Sequence, residues 1–484
     1  MNIQRLKKTC ALILACYIAV MVGFFWISGE QLHFRDEGTA FITPASPVGE
    51  LTKDMQIRQS FSVNADEIRS VWLLLSTYAR TNTCTVLVQI ADASGAVVGQ
   101  TEIAGADIED NVVREIVFPE PVSIEPNRPY ELVLSSPDGV SGNAITAWHG
   151  NTMSAAKVEI PMHIAEEKRM EFGGAPVDGM LVHSLQLRSY LWFGQIYWYL
   201  VLVLGAALVG YSAYLIRAAE KNRSTVVLRL FAAFERYGYL MRQLISRDFK
   251  TKYKRSVLGI LWSFLNPLLT MLVQYVVFST LFKSDIPNFP LYLLSGIVCF
   301  NFFNEASGMA LMSIVGNATL ITKVYVPKYI YPVSRVLSSG INLLLSMIPL
   351  FAVMLLTGAP ISPSLLLLPF GLICLVVFSI GIGFLLSTAM VFFRDTQFLW
   401  GVVSMLWMYA TPIFYPESII GEQYMLLFKC NPMYHIIKFV RVILIDGVSP
   451  EPMSYVLCLA AAFIPLCIGA IVFKKNQDKF ILNL

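Results

Sequence analysis

The chain has 484 residues, of which 56% are hydrophobic and 14% charged, with a mean hydropathy of +0.60. Soluble proteins run nearer about 45–50% apolar and about 25% charged, so a soluble fold is excluded and the chain is a membrane protein. The net charge of +3 comes from 36 Lys and Arg against 33 Asp and Glu, and the cations flank apolar runs instead of forming a soluble basic domain, which excludes a nucleic-acid binder.

A bilayer core about 30 Å thick takes about 20 apolar residues per helix. Eight segments meet that need, at about 9–28, 190–216, 262–282, 289–315, 333–357, 364–393, 396–415 and 453–473. The first follows Arg5, Lys7 and Lys8, is long for the apolar part of a signal peptide, and meets no small-x-small site at Ser28-Gly29-Glu30-Gln31. Residues 1–28 are therefore expected to be a retained anchor.

Residues 29–189 differ in kind. Short apolar runs such as Val71-Trp72-Leu73-Leu74-Leu75, Thr85-Val86-Leu87-Val88-Gln89-Ile90 and Glu131-Leu132-Val133-Leu134 are separated by turn signals at Ala93-Ser94-Gly95, Pro126-Asn127-Arg128-Pro129 and Pro137-Asp138-Gly139. This spacing predicts an all-β antiparallel sandwich, jelly-roll-like. Cys84 is its only cysteine, so no disulfide lies within it. Trp72, Tyr78, Tyr130 and Trp148 are its candidate sugar-stacking residues, with Trp72 better placed as a core residue. A spacer or an assembly surface is the plainer role for this segment.

Charge sets the topology. Segment 29–189 carries 22 acids against 11 Lys and Arg, whereas 217–255 carries 11 Lys and Arg against three acids, and the tail ends with Lys474, Lys475 and Lys479. By the positive-inside rule both termini and 217–255 are cytoplasmic and 29–189 is outside. Within the basic stretch Leu244, Ile245, Phe249 and Tyr253 recur at helical spacing beside cations, which predicts an amphipathic helix in the cytoplasmic interface, an ordinary basic flank being the plain alternative. The expected organisation is an anchor at 1–28, a β domain at 29–189, a span at 190–216, a basic linker and interface helix at 217–261, and a six-span unit at 262–484 whose segment 416–450 is too polar for another span.

Catalytic chemistry is missing. There is no GxxxxGK[ST] phosphate loop, no HExxH and no GxSxG, the five histidines show no metal-ligand spacing, and no CxxC pair occurs. No catalytic residue, metal or cofactor is expected in this chain, and any work it does against a gradient has to draw on a partner or an ion gradient. Glu305 stands nearly alone among the charges inside the spans.

Arg247-Asp248, Tyr253, Ser256, Leu258-Gly259, Trp262 and Asn266-Pro267 together resemble the opening motif of type-2 ABC transporter permeases, nearest the branch that exports O-antigen polysaccharide and teichoic acid. Lys323-Val-Tyr-Val-Pro327 with Tyr331-Pro332, then Phe393-Arg394-Asp395, Thr411-Pro412-Ile413-Phe414-Tyr415-Pro416 and Asn431-Pro432 follow in that branch's order. The resemblance covers about 235–484, and the preceding anchor, β domain and span depart from the usual six-span unit. It implies a homodimer that forms a pore, paired with two copies of a separate ATPase that carries ATP and Mg, and a lipid-linked glycan as substrate.

The resemblance also distributes roles. Arg247, Asp248, Lys250, Tyr253, Lys323, Pro327 and Lys328 become candidates for coupling to the ATPase, the inner leaflet's anionic lipid being the alternative partner for the cations. Trp262, Tyr275, Phe302, Phe303, Trp407, Tyr409, Phe414 and Tyr415 become candidates for a path on which sugar C–H faces pack against rings, with structural packing the commoner use of such residues. Asn431, Pro432, Lys438 and Arg441 fall in the external re-entrant segment as an exit gate, where the two cations suit anionic lipid, a phosphate-bearing polymer or headgroup snorkelling. Export of a drug or small lipid is the competing transport reading, and a membrane-anchored glycan-binding or sensory protein is the competing reading of another class.

Overall fold

The computed structural model describes residues 3–39, 42–150, 152–153, 170–223, 225–253, 259–281, 288–323 and 326–483. Ser256 and Leu258 of the opening motif, with Lys254 and Arg255, lie outside them. The chain divides into two compact units, one of residues 32–195 and one made of 1–31 with 196–484.

The smaller unit has two large antiparallel sheets and a two-stranded one that pairs Ile42–Thr43 with Thr152–Met153. One has six strands in the order Ala175–Pro176, Glu171–Phe172, Gln56–Ser62, Pro129–Ser135, Thr85–Asp92, Val97–Ala104. The other has seven, running Phe34–Gly38, His183–Tyr190, Glu67–Ser76, Thr146–Gly150, Met180–Leu181, with Ser46–Pro47 added to Thr146–Gly150 and Val112–Ser123 to Glu67–Ser76. Alternate residues of both sheets, among them Ile57, Val71, Leu73, Val86, Val88, Ile90, Leu132, Leu134, Leu185 and Leu187, enclose one core, as strand alternation requires. The lone Cys84 is buried in that core, and burial pushes its thiol above the ordinary range. Trp72 is not a core residue: it shares no parity with Val71, Leu73 and Leu75, sits opposite Glu115 and Ser184 on the other sheet face, and is half-buried there.

The larger unit is helical. In chain order its helices are α1 (Ile3–His33), α2 (Trp192–Glu220), α3 (Val226–Tyr253), α4 (Trp262–Leu281), α5 (Phe289–Leu311), α6 (Ala318–Lys323), α7 (Ile330–Leu356), α8 (Leu368–Phe392), α9 (Thr396–Tyr409), α10 (Glu422–Lys429), α11 (Pro432–Arg441) and α12 (Pro452–Asn476). Among the described residues six helical stretches are long and apolar enough to cross a membrane: α1, α2, the first 18 residues of α4, α7, 363–392 and 452–483. A seventh is counted if α5 and the stretch Val315–Lys323, bent against each other by 52°, make one span. The segment at 396–415 forms α9 with only 14 residues, about 21 Å at 1.5 Å per residue, and then leaves helical form.

Close backbone contacts, aromatic packing and side-chain hydrogen bonds hold these helices. α8 and α12 touch through glycines: a Cβ on Gly469 would lie 2.2 Å from the Gly381 carbonyl oxygen, and one on Gly381 would lie 2.5 Å from the Leu466 nitrogen. Without water to drive association, such close backbone approach supplies the packing energy. α5, buried along much of its length, anchors an aromatic knot in which Phe303 lies 5.1 Å from Phe378 and 5.3 Å from Trp407 between ring centroids. α1 and α2 pair through hydroxyl-to-carbonyl bonds, Tyr17 to Val201 and Tyr197 to Met21, both 2.7 Å. The end of α1 also holds the 447–450 segment: Ser28 Oγ donates to Ser449 Oγ at 2.7 Å, and Gln31 Oε1 accepts from Ser449 N at 2.9 Å.

Candidate functional site

α3 is amphipathic as its spacing predicts, but its buried stripe carries a charge. Met241 and Leu244 are buried, and the next position on that stripe is Asp248, 7% exposed. A carboxylate there demands cations: Arg335 of α7 stands 3.1 Å from one oxygen and Arg247 3.0 Å from the other. One turn on, Lys252 Nζ lies 2.8 Å from Glu305 Oε2 of α5. The other Glu305 oxygen accepts from Asn342 Nδ2 at 2.6 Å, and Asn342 Oδ1 accepts from the Tyr253 hydroxyl at 2.8 Å, which also bonds Ser263. Glu305, nearly alone by sequence, is thus the centre of a network spanning α3, α5 and α7.

Two cavities meet at this network. The first, about 300 Å³, lies among α3, α4, α5 and α7 and is lined by Tyr253, Trp262, Ser263, Asn266, Asn301, Phe302, Asn342 and Ser346. The second, about 550 Å³, is lined by Arg247, Asp248, Thr251, Met309, Gly316, Asn317 and Arg335. Lys252 and Glu305 line both. Aromatic faces beside amide and hydroxyl groups form a lining able to meet both the C–H faces and the hydroxyls of a sugar. Asn301, Asn342, Ser263 and Ser346 of this lining escaped the sequence reading, and Asn266 entered it only as part of the opening motif.

A second cluster is built around α11. Asn431 caps this helix, its Oδ1 accepting from Met433 N at 3.0 Å, with Pro432 at the first helical position. The same Oδ1 accepts from Trp407 Nε1 at 2.8 Å, while Nδ2 donates to Thr411 Oγ1 at 2.9 Å and Ala410 O at 3.2 Å. Arg441 turns into the protein instead of toward solvent: it donates to the carbonyls of Pro412 at 2.6 Å, Ile413 at 3.1 Å and Tyr292 at 3.2 Å, with its guanidinium 3.4 Å from the Tyr292 ring centroid. A Cβ on Gly296 would lie 2.9 Å from that guanidinium, so glycine makes its room. Arg441 therefore clamps the non-helical 410–416 backbone, which at membrane depth persists only when its polar groups are met by protein. Lys438 is more open and pairs with Glu417 at 3.1 Å.

The remaining candidates separate. Phe303 and Phe414 are buried packing residues, Phe414 stacked on Phe278 at 5.6 Å, and Trp407 is held by the knot and Asn431. Of the expected path, Trp262 and Phe302 line the first cavity, while Tyr275 and Tyr409 face outward from the single chain and the Tyr415 hydroxyl donates to Tyr409 O at 2.7 Å. Of the expected coupling residues, Lys250 and Lys323 are exposed and Pro327 is half-buried, whereas Lys328 Nζ donates to Gln477 O at 2.6 Å and so ties the 326–329 connection to the C-terminal segment. No group of three or more metal-ligating side chains occurs among the described residues.

Against known proteins, the ABC-2 type transporter family profile matches residues 239–445. The O-antigen export system permease protein RfbA of Klebsiella pneumoniae is 32% identical over 247 residues, 50% of this chain and 95% of that protein. RfbA of Myxococcus xanthus is 28% identical over 256 residues, 52% of this chain and 98% of that protein. The polysialic acid transport protein KpsM of Escherichia coli is 22% identical over 255 residues, 52% of this chain and 99% of that protein. The profile leaves α1, the β unit and α2 outside its match.

Proposed function

Because the chain belongs to the ABC-2 type transporter permeases, we propose that it is the membrane-spanning subunit of an exporter carrying a lipid-linked surface polysaccharide outward across the cytoplasmic membrane of a bacterium. What carries this reading is the likeness to O-antigen and polysialic acid export permeases over nearly their whole length. The chain is a transport subunit and not an enzyme. ATP hydrolysis, with Mg, belongs to a separate ATPase, two copies of which act on two copies of this chain. Both termini and α3 face the cytoplasm and residues 29–189 face outward, as the charge asymmetry supports. The exposed apolar faces of α4 and α9, including Leu272, Val273, Leu399 and Val402, supply surface for lipid and for the second copy.

In this reading α3 and the 316–332 connection receive the push of the ATPase. α3 carries both Asp248 and Lys252, so its displacement acts directly on the Asp248–Arg335 and Lys252–Glu305 pairs. The second pair is a polar bar between the two cavities. Broken, it joins them into one passage lined by groups that hold a glycan weakly and repeatedly. Half-exposed ion pairs contribute little stability, about 0–1 kcal/mol, which makes this bar cheap to open.

The test is to deplete the protein and quantify lipid-linked glycan in the cytoplasmic leaflet against glycan at the surface. Accumulation inside with loss outside is expected. Unchanged glycan in both places contradicts polysaccharide export and makes a small lipid or drug the substrate.

A further inference from the structure

The four aromatic residues of the β unit that composition marks for sugar stacking are separated by the fold. Tyr130 is buried against Phe61, ring centroids 6.3 Å apart, with its hydroxyl accepting from Glu125 N at 2.9 Å. Trp72 keeps its indole nitrogen enclosed on the outer sheet face. Tyr78 and Trp148 remain, and two consecutive residues join them. Asp110 accepts from Ser76 Oγ at 2.7 Å and from Thr77 N at 2.6 Å, gripping the residue before Tyr78. Asn111 Oδ1 accepts from Trp148 Nε1 at 3.1 Å, and Asn111 Nδ2 donates to Asp110 Oδ2 at 3.1 Å.

The turn that carries Tyr78 is built against backbone preference. Tyr78 and Ala79 have φ of +57° and +55°, two successive L residues in the left-handed region, and Asn111 has +57°. Such strain persists only where the surroundings over-determine it, and it marks places where a side chain must be held in one position. Here Asp110 holds the turn on one side, and Asn82 Nδ2 donates to Thr77 O at 3.2 Å from another. Arg80 donates to Glu50 at 2.6 Å and stands 5.0 Å from the Tyr78 ring centroid. The hydroxyl of Ser76 and the N–H of Thr77 also hold the Asp110 carboxyl below the usual carboxylate range, so it stays an acceptor. The product is a fixed ring, 39% exposed, tied through Asp110 and Asn111 to the half-buried indole of Trp148, which rests on Ile42, Leu74 and Val182.

We propose that this edge of the β unit is a glycan-binding site that takes the polysaccharide the chain exports, with Tyr78 and Trp148 as stacking surfaces. Sugar rings offer C–H faces to aromatic rings and hydroxyls to planar polar groups, and the Arg80 guanidinium and the second N–H of Asn111 supply the latter. An apolar protein partner fits poorly, because the charged Arg80 stands against the Tyr78 ring and the Asn111 amide is bonded to Trp148. Rings fixed before binding lose little freedom on contact, which favours a weak, reversible hold on a passing chain. The identity of the sugar rests on the export reading; the site itself does not.

The test is a titration of the full-length chain, in lipid nanodiscs, with delipidated surface polysaccharide from the cells that carry it. The intact chain is expected to bind. Tyr78→Ala and Trp148→Ala should each weaken binding about tenfold, and Tyr78→Phe should stay within about twofold, because the ring is what stacks. Unchanged melting of Tyr78→Ala shows that the loss is not unfolding. No binding by the intact chain, or binding by both alanine variants as tight as that of the intact chain, overturns the proposal. Surface glycan measured in the same cells separates the two claims: export that persists beside absent binding sinks the site alone, while surface glycan unaffected by depletion sinks the export reading.

Discussion

The two charged clusters of the helical unit follow opposite designs. Around Glu305, side chain meets side chain: Lys252, Glu305, Asn342 and Tyr253 hold one another across open cavities, with the Lys252 and Glu305 side chains 42% and 29% exposed. Around Arg441, a buried side chain meets backbone: its donors are aimed at the Pro412, Ile413 and Tyr292 carbonyls. A side-chain network in contact with water can exchange partners at little cost. A buried cation on backbone carbonyls cannot, because each released carbonyl remains unsatisfied. The first arrangement suits a moving part and the second a fixed one, so the 410–416 backbone and α11 form a braced frame.

Substitutions test this contrast in order of size. Arg441→Met removes the clamp from three carbonyls and should destabilise the protein by more than about 3 kcal/mol, read as a large drop in melting temperature or loss of folded protein in detergent. Asp248→Asn leaves Arg335 facing an uncharged group in a mostly buried setting and should cost about 2–3 kcal/mol, read by the same melt. Glu305→Gln keeps the shape and the bond from Asn342, so stability should change by less than about 1 kcal/mol while export of glycan falls, a split between melting and surface glycan that a purely structural residue would not produce. Lys438→Ala should move the melt by less than about 0.5 kcal/mol, since its partner Glu417 is also partly exposed. A large loss with Glu305→Gln and a small one with Arg441→Met would invert the comparison.

What the sequence disclosed follows from the range of each signal. Spans and strands were legible because hydropathy and alternation are local, and the family motifs were legible as an ordered set. Glu305 was visible as a solitary charge, but its partners were not: Lys252 is 53 residues away and Asn342 is 37, and no local pattern links them. The orientation of Trp72 failed because Val71 to Leu75 are apolar at both parities, which removes the alternation that assigns a face. By sequence Arg441 is an exit-gate cation suited to anionic lipid, a phosphate-bearing polymer or headgroup snorkelling, because a cation flanking a span usually meets such groups. The apolar residues on both sides of it, Ile436, Ile437, Ile443 and Leu444, were the sign that it enters the protein. The span at 396–415 was half present: α9 begins as expected, and Pro412 and Pro416 stop the helix from extending through that segment.

The most direct measurement is surface polysaccharide in cells carrying Lys252→Glu, Glu305→Lys, or both. Each single exchange places like charges across the bar and is expected to lower export, and the double exchange, which rebuilds the pair in reverse, is expected to restore a large part of it. Export at the original level in both single variants would contradict the role given to this pair.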